Sequence, residues 1–147
     1  ELAGVRPLFN ALHHFRPETA RRILADAATS GRAIASFEVI AREPLSLLGI
    51  LLAPLSVALS VPLLRPFRWS WLPLTYLVPI LPLFVLWDGI VSWLRIYSPR
   101  ELQALIDALE PRHRDAYTWE IGRIRLAGPP IHASYLVGVP RAVQSPS

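Results

Sequence analysis

The sequence predicts a mixed α/β protein interrupted by an apolar helical insert, and three observations carry that reading. Short apolar runs of strand length alternate with proline-led segments of helical period. Two paired strands close the chain. Between the halves lies a hydrophobic stretch with only two arginines in its middle, long enough to matter to a bilayer.

Pro17 suits the first turn of a helix, and Ala20, Ile23, Leu24, Ala27 and Ala28 recur at helical spacing on one apolar face. Ser30 and Gly31 end it, with Gly31 as a left-handed cap. "AIASFEVI", Ala33–Ile40, is a nearly continuous apolar run broken by Ser36 and Glu38, which reads as a buried parallel strand. Leu45–Leu64 carries no charge, "RPFR" at Arg65–Arg68 interrupts, and Trp69–Trp87 is again uncharged. Each run matches the ~20 residues that span a hydrocarbon core, but Pro54, Pro62, Pro73, Pro79 and Pro82 are expected to kink or break them. Three arrangements are open: a hairpin dipping into one leaflet, two full spans, or an apolar lobe buried against protein. Arginines outside the insert (Arg32, Arg42, Arg95, Arg100) outnumber those in the short loop, which places both ends on the cytoplasmic side.

Asp88–Tyr97 reads as a helix with Asp88 as its cap. "SPRE", Ser98–Glu101, is a capping box with Pro99 at the first helical position, and Leu102, Leu105, Ile106 and Leu109 supply its core stripe before Pro111 ends it. Tyr117–Leu126 and Ala133–Val139 read as a terminal β-hairpin joined by Ala127–His132, with a bulge where alternation slips at Gly122. The expected divisions are 1–44, the insert 45–87, 88–140 and a loose tail 141–147.

Composition limits the chemistry. Charged residues make up 18% of the 147, against roughly 25% in ordinary soluble domains. Mean hydropathy is +0.37, and all 15 basic residues are arginine, giving a net charge of +4. With no cysteine there is neither a disulfide framework nor a thiolate metal site. No nucleic-acid-binding pattern of basic and aromatic residues appears, so none is expected as a partner. The oligomeric state has no signature.

The residues that could carry chemistry are few. His13 and His14 are adjacent, and helix neighbours point ~100° apart, so they do not form a chelating pair. His113 and His132 are expected in distant loops, and no metal site is predicted. No serine elbow or phosphate-cradling glycine loop occurs, because the seven glycines are scattered singly. Glu38, near the carboxyl end of a buried strand, either faces a ligand site there or pairs with Arg42 or water.

Taken together, "LFNALHHFRPE", "RAIASFE", "SPRELQALI", "YTWEIGRIR" and "SYLVGVP" resemble the C-terminal half of a class I S-adenosylmethionine-dependent methyltransferase. The resemblance covers nearly the whole chain except Leu45–Trp87. It implies a Rossmann-like sheet in which "AIASFE" is strand five and the hairpin is strands six and seven, the last antiparallel between five and six. It also implies that His13 or His14 serves catalysis, that Asn10 lines the methyl-transfer end, and that Glu38, Trp87 and Asp88 lie on the acceptor side. The insert looks like that of a membrane-associated branch, acting in the cytoplasm at a lipid surface on a small-molecule or lipid-like acceptor. The glycine-rich loop and acidic residue that bind S-adenosylmethionine in this family would lie upstream of Glu1. Strand four would be missing too, leaving "AIASFEVI" as an exposed edge. The contrasting reading is a non-enzymatic membrane-hairpin anchor or interaction protein.

Overall fold

The computed structural model describes residues 4–126 and 131–141. The chain divides into one unit formed by 1–41 and 96–147 and a second formed by Arg42–Arg95. The first is mixed α/β, with a four-strand mixed sheet and helices.

In the first unit the strands are β1 (Arg6–Phe9), β2 (Ile34–Glu38), β3 (Tyr117–Arg125) and β4 (His132–Pro140), in the order β1-β2-β4-β3. β1 and β2 run parallel, and β4 is antiparallel to both β2 and β3. A parallel pair needs a crossover, and α1 (Pro17–Thr29) supplies it. The exposed edge expected at "AIASFEVI" is therefore not found. Arg6–Phe9 pairs with Ile34–Phe37, and β2 is an interior strand rather than an exposed edge.

β2 is shorter than the apolar run that announced it. Ile34, Ala35, Ser36 and Glu38 are buried, whereas Val39 and Ile40 are exposed beyond its end. The core forms where α1 and α5 (Pro99–Asp107) pack on one sheet face. Leu12, Leu24, Ile34 and Leu136 are its largest fully buried side chains, each contributing roughly 1.5–3 kcal/mol by leaving water. The predicted helical stripes are the buried ones: Ala20, Leu24 and Ala27 on α1, and Leu102, Leu105 and Ile106 on α5. Gly31 takes the left-handed φ of +63° that ends α1.

The capping box closes as its sequence requires. The Ser98 hydroxyl accepts from Glu101 N–H at 3.3 Å, and Glu101 Oε2 accepts from Ser98 N–H at 2.7 Å. Ser98→Ala removes one arm and is expected to cost about 1 kcal/mol, read as a lower urea midpoint with unchanged slope. Pro111 does not simply follow this helix; it starts the short α6 (Pro111–Asp115), so His113 lies on a helix rather than in a loop. Tyr117 ties β3 to the end of α1, its one hydroxyl hydrogen shared between Ala27 O at 3.0 Å and Arg32 O at 3.1 Å. Burial pushes that phenol above its ordinary pKa.

The expected bulge at Gly122 is absent, because β3 and β4 stay in register from Tyr117↔Pro140 to Arg125↔His132. The alternation slips for a packing reason. Gly122 lies directly opposite Tyr135 and Gly138 opposite Trp119, and each glycine leaves room for the facing ring. A Cβ on Gly138 would strike the body of the Trp119 indole, whereas one on Gly122 would meet the movable end of Tyr135. Gly138→Ala is therefore expected to cost about 1–3 kcal/mol and Gly122→Ala less, compared by thermal unfolding. The joining segment expected over Ala127–His132 lies outside the described residues except at its end, where Ile131 precedes β4 and His132 begins it. Most of the expected tail, 142–147, lies outside them too.

The second unit is a helical hairpin of α2 (Pro44–Leu51), α3 (Ala53–Ser60) and α4 (Ile80–Arg95). The prolines interrupt both apolar runs as expected: α2 gives way to α3 at Pro54, and the non-helical Val78 and Pro79 separate a π turn from α4. Each proline thus sits at or near the start of a helical piece, where no N–H donor is needed. Pro44 and Pro54 open α2 and α3, Pro62 lies in a 3₁₀ turn at Val61–Leu63, Pro73 opens a π turn at Pro73–Leu77, and Pro82 is in the first turn of α4. Pro44–Leu63 is thus long and apolar enough to cross a membrane by length and composition. Gly89 lets α2 and α4 approach, since a Cβ there would stand 2.8 Å from Ile50 Cγ2. Asp88 does not cap a helix, because α4 starts at Ile80 and carries Asp88 in its middle.

Candidate functional site

The site grows from the carboxyl ends of the two parallel strands. β1 stops at Asn10, whose φ of 47° is left-handed, a conformation asparagine tolerates better than most residues. Asn10 N–H donates to Phe37 O at 2.9 Å, and its Oδ1 accepts from Val39 N–H at 2.8 Å. This residue therefore fastens the end of β1 to the end of β2, and it turns the chain into a 3₁₀ turn at Leu12–His14.

Glu38 closes the same turn from below. Its Oε1 accepts from Leu12 N–H at 3.0 Å and His13 N–H at 3.3 Å, and its Oε2 lies 2.7 Å from His13 Nδ1. Both side chains are buried, at 8% and 9% exposure. A buried carboxylate is tolerated only when its oxygens are satisfied, and three donors do that here. Because a carboxylate can only accept, the hydrogen of this contact lies on Nδ1, and Nε2 is the ring nitrogen turned away from Glu38. The arrangement is a carboxylate-oriented imidazole, able to accept a proton at Nε2.

His14 takes a different part. It is exposed, and its ring lies 4.1 Å from that of His13 at 38°, shielding its neighbour rather than joining the hydrogen-bond chain. Tyr97 holds the far end of the turn by donating to Phe15 O at 2.7 Å. Burial, then the nearby Glu101 and Glu18 carboxylates, raise its pKa.

Beneath the dyad is a cavity of about 10 Å³, at the lower limit for one water, lined by Ser36, Glu38, Tyr97, Ser134 and apolar neighbours. The Ser36 and Ser134 hydroxyls are buried with no hydrogen-bond partner among the described residues. Ser134 stands opposite Glu38 in the β2–β4 register, and Ser36 shares its sheet face two positions back. A larger groove of about 310 Å³ runs between α1 and α5, lined by Pro17, Glu18, Arg21, Tyr97 and Glu101 among others.

Of the residues singled out from sequence, Asn10, His13, His14 and Glu38 come together in the first unit. Trp87 and Asp88 belong to α4 of the second unit, where both are exposed. Glu38 pairs with His13, not with Arg42. Sequence reasoning missed Ser36, Ser134 and Tyr97; the signal for the first was a second polar residue on the buried face of an apolar strand. Among the described residues no three His, Asp or Glu side chains converge on a point. No protein-family model, curated protein or solved structure matches the chain.

Proposed function

We propose that this chain is the acceptor-side part of an S-adenosylmethionine-dependent methyltransferase working at a membrane surface on a small-molecule or lipid-like acceptor. The observation that carries the reading is the buried His13–Glu38 dyad, set with Asn10 at the carboxyl ends of parallel β1 and β2. Ligand sites in open α/β sheets lie beyond those ends. The four-strand mixed sheet with helices packed on it is the broad α/β architecture that this reading requires.

In this reading His13 Nε2 takes the proton from an acceptor hydroxyl or amine as it is methylated. Glu38 fixes the ring's tautomer and orientation, and it stabilises the imidazolium that forms. Asn10 positions the turn. His14 covers the dyad, and Trp87 and Asp88 are assigned to the acceptor by resemblance alone.

The residues that carry the proposal show no feature that would cradle S-adenosylmethionine: the seven glycines are single, and the cavity beside Glu38 is about 10 Å³, far below what a nucleoside requires. The proposal therefore assigns cofactor binding to residues outside this sequence. Titration calorimetry of the 147-residue chain with S-adenosylmethionine tests this, with no saturable heat expected. Micromolar binding would overturn the division of labour.

The exposed apolar surface of the second unit, from Leu45 through Leu59 and from Ile80 through Trp87, supports membrane contact. It equally favours a second reading, a non-enzymatic anchor, in which the dyad serves only to hold the Leu12–His14 turn. A folded, membrane-bound chain joined to a working cofactor-binding part that transfers no methyl group would select the anchor.

A further inference from the structure

The hairpin Arg42–Arg95 carries its own information about how it meets lipid. At its base, Arg42 Nη1 donates to Leu94 O at 3.4 Å, so both arms begin at the same end. The outgoing arm, Pro44–Leu63, has 20 residues and a mean hydropathy of 2.1, and it extends about 30 Å. The returning α4 has 16 residues, about 24 Å, and is preceded across the non-helical Val78 and Pro79 by the π turn Pro73–Leu77. At the tip are Arg65 and Arg68 with Phe67, Trp69 and Trp71, whose rings cluster edge to face at 5.3 and 6.5 Å.

Two modes of membrane contact fit these facts poorly. A helix lying flat in the interface needs a charged face turned to water. Here the exposed positions of α2 and α3 that are not leucine are Pro44, Gly49, Ser56 and Ser60, without one charge. A hairpin dipping into one leaflet would bury its tip in hydrocarbon. Arg65 donates only to Pro62 O and Leu64 O, and neither tip arginine has a carboxylate partner among the described residues. Two guanidiniums in that state are costly at the bilayer centre, whereas arginine and tryptophan are at home in the headgroup layer.

Building on the membrane reading above, we propose that the Arg42–Arg95 hairpin crosses the bilayer completely, with the Arg65–Trp71 tip in the far headgroup layer. The two tip arginines then meet lipid phosphates, and Trp69, 78% exposed, lies at the far interface. Asp88 is the one charge along the arms. It lies two turns before Arg95, about 10 Å from the base interface, where local thinning of the bilayer brings water to a short carboxylate.

The absence of cysteine makes the test free of background. Ser70→Cys marks the tip, and Gln103→Cys marks α5, which follows the base in sequence; both positions are exposed. The full chain is inserted in bacterial inner membranes, extracted with alkaline carbonate, and labelled with an impermeant maleimide in right-side-out and inverted vesicles. Resistance to extraction, with the two cysteines reacting from opposite sides by about tenfold or more, is the expected result. Resistance with both cysteines reacting from one side, or with the tip reacting from neither, overturns the span but keeps membrane association. Complete release by salt or carbonate overturns both and leaves the apolar surface to a protein partner.

Discussion

Glu38→Ala is expected to destabilise the first unit by roughly 3–5 kcal/mol. The carboxylate is 9% exposed and accepts from three donors: Leu12 N–H, His13 N–H and His13 Nδ1–H. Removing it strands all three in a space too small for several waters. Each unpaired buried donor costs about 1–3 kcal/mol, so even partial rehydration leaves a large deficit. Domains of this size hold only about 5–15 kcal/mol in total, and the loss should move the urea midpoint far to the left. Glu38→Gln separates structure from chemistry. The amide oxygen can still accept from the two backbone groups, so the cost should fall to about 1–2 kcal/mol. Its NH₂ group then faces His13 Nδ1 and drives the ring to carry its hydrogen on Nε2. Nitrogen chemical shifts of the His13 ring in wild type and variant would show that exchange. An unchanged tautomer would remove Glu38 as the orienting group.

Leu24→Ala is expected to cost about 3–5 kcal/mol, because the side chain is completely buried where α1 meets the sheet. Its neighbours Leu12, Ile34, Leu102 and Leu136 come from separate elements and cannot all collapse into the hole. The informative comparison is Leu63→Ala at the end of the apolar arm, where the leucine is 78% exposed. That change should stay within about 0.5 kcal/mol in unfolding experiments. Chemical denaturation of both variants checks the contrast. Equal costs would mean that the arm's leucines are covered by protein.

The parts of the fold readable from sequence were those decided locally. The capping box at Ser98–Glu101 needs only four residues, and the stripe of α1 needs only helical spacing. What escaped depended on distant partners. β1 is four residues with Pro7 in it, at the edge of the sheet, and only pairing with β2 makes it a strand. The apparent bulge in β3 arose because Gly122 answers to Tyr135 across the sheet, a constraint carried by the other strand. Asp88 was misplaced as a cap because Pro82 was read as a helix breaker, although a proline in the first turn costs α4 nothing.

The site shows the same division. His13 stood out as one of two adjacent histidines and Glu38 as a carboxylate near the end of a buried strand, while Asn10 was named by the resemblance alone. Their union did not stand out, since Glu38 reaches back 25 positions to His13 and two of its three contacts are backbone N–H groups. Ser36 and Ser134 were invisible as a pair until the β2–β4 register brought them onto one face.

Methyl transfer measured in membranes is the most direct test of the His13–Glu38 assignment. The assay uses a longer chain that joins this sequence to the cofactor-binding part the proposal requires, supplied with methyl-labelled S-adenosylmethionine. Label should enter a small-molecule or lipid extract, and His13→Ala should lower the rate by about 10²–10⁴-fold with S-adenosylmethionine binding unchanged. Transfer that proceeds at the same rate without the His13 imidazole would contradict it.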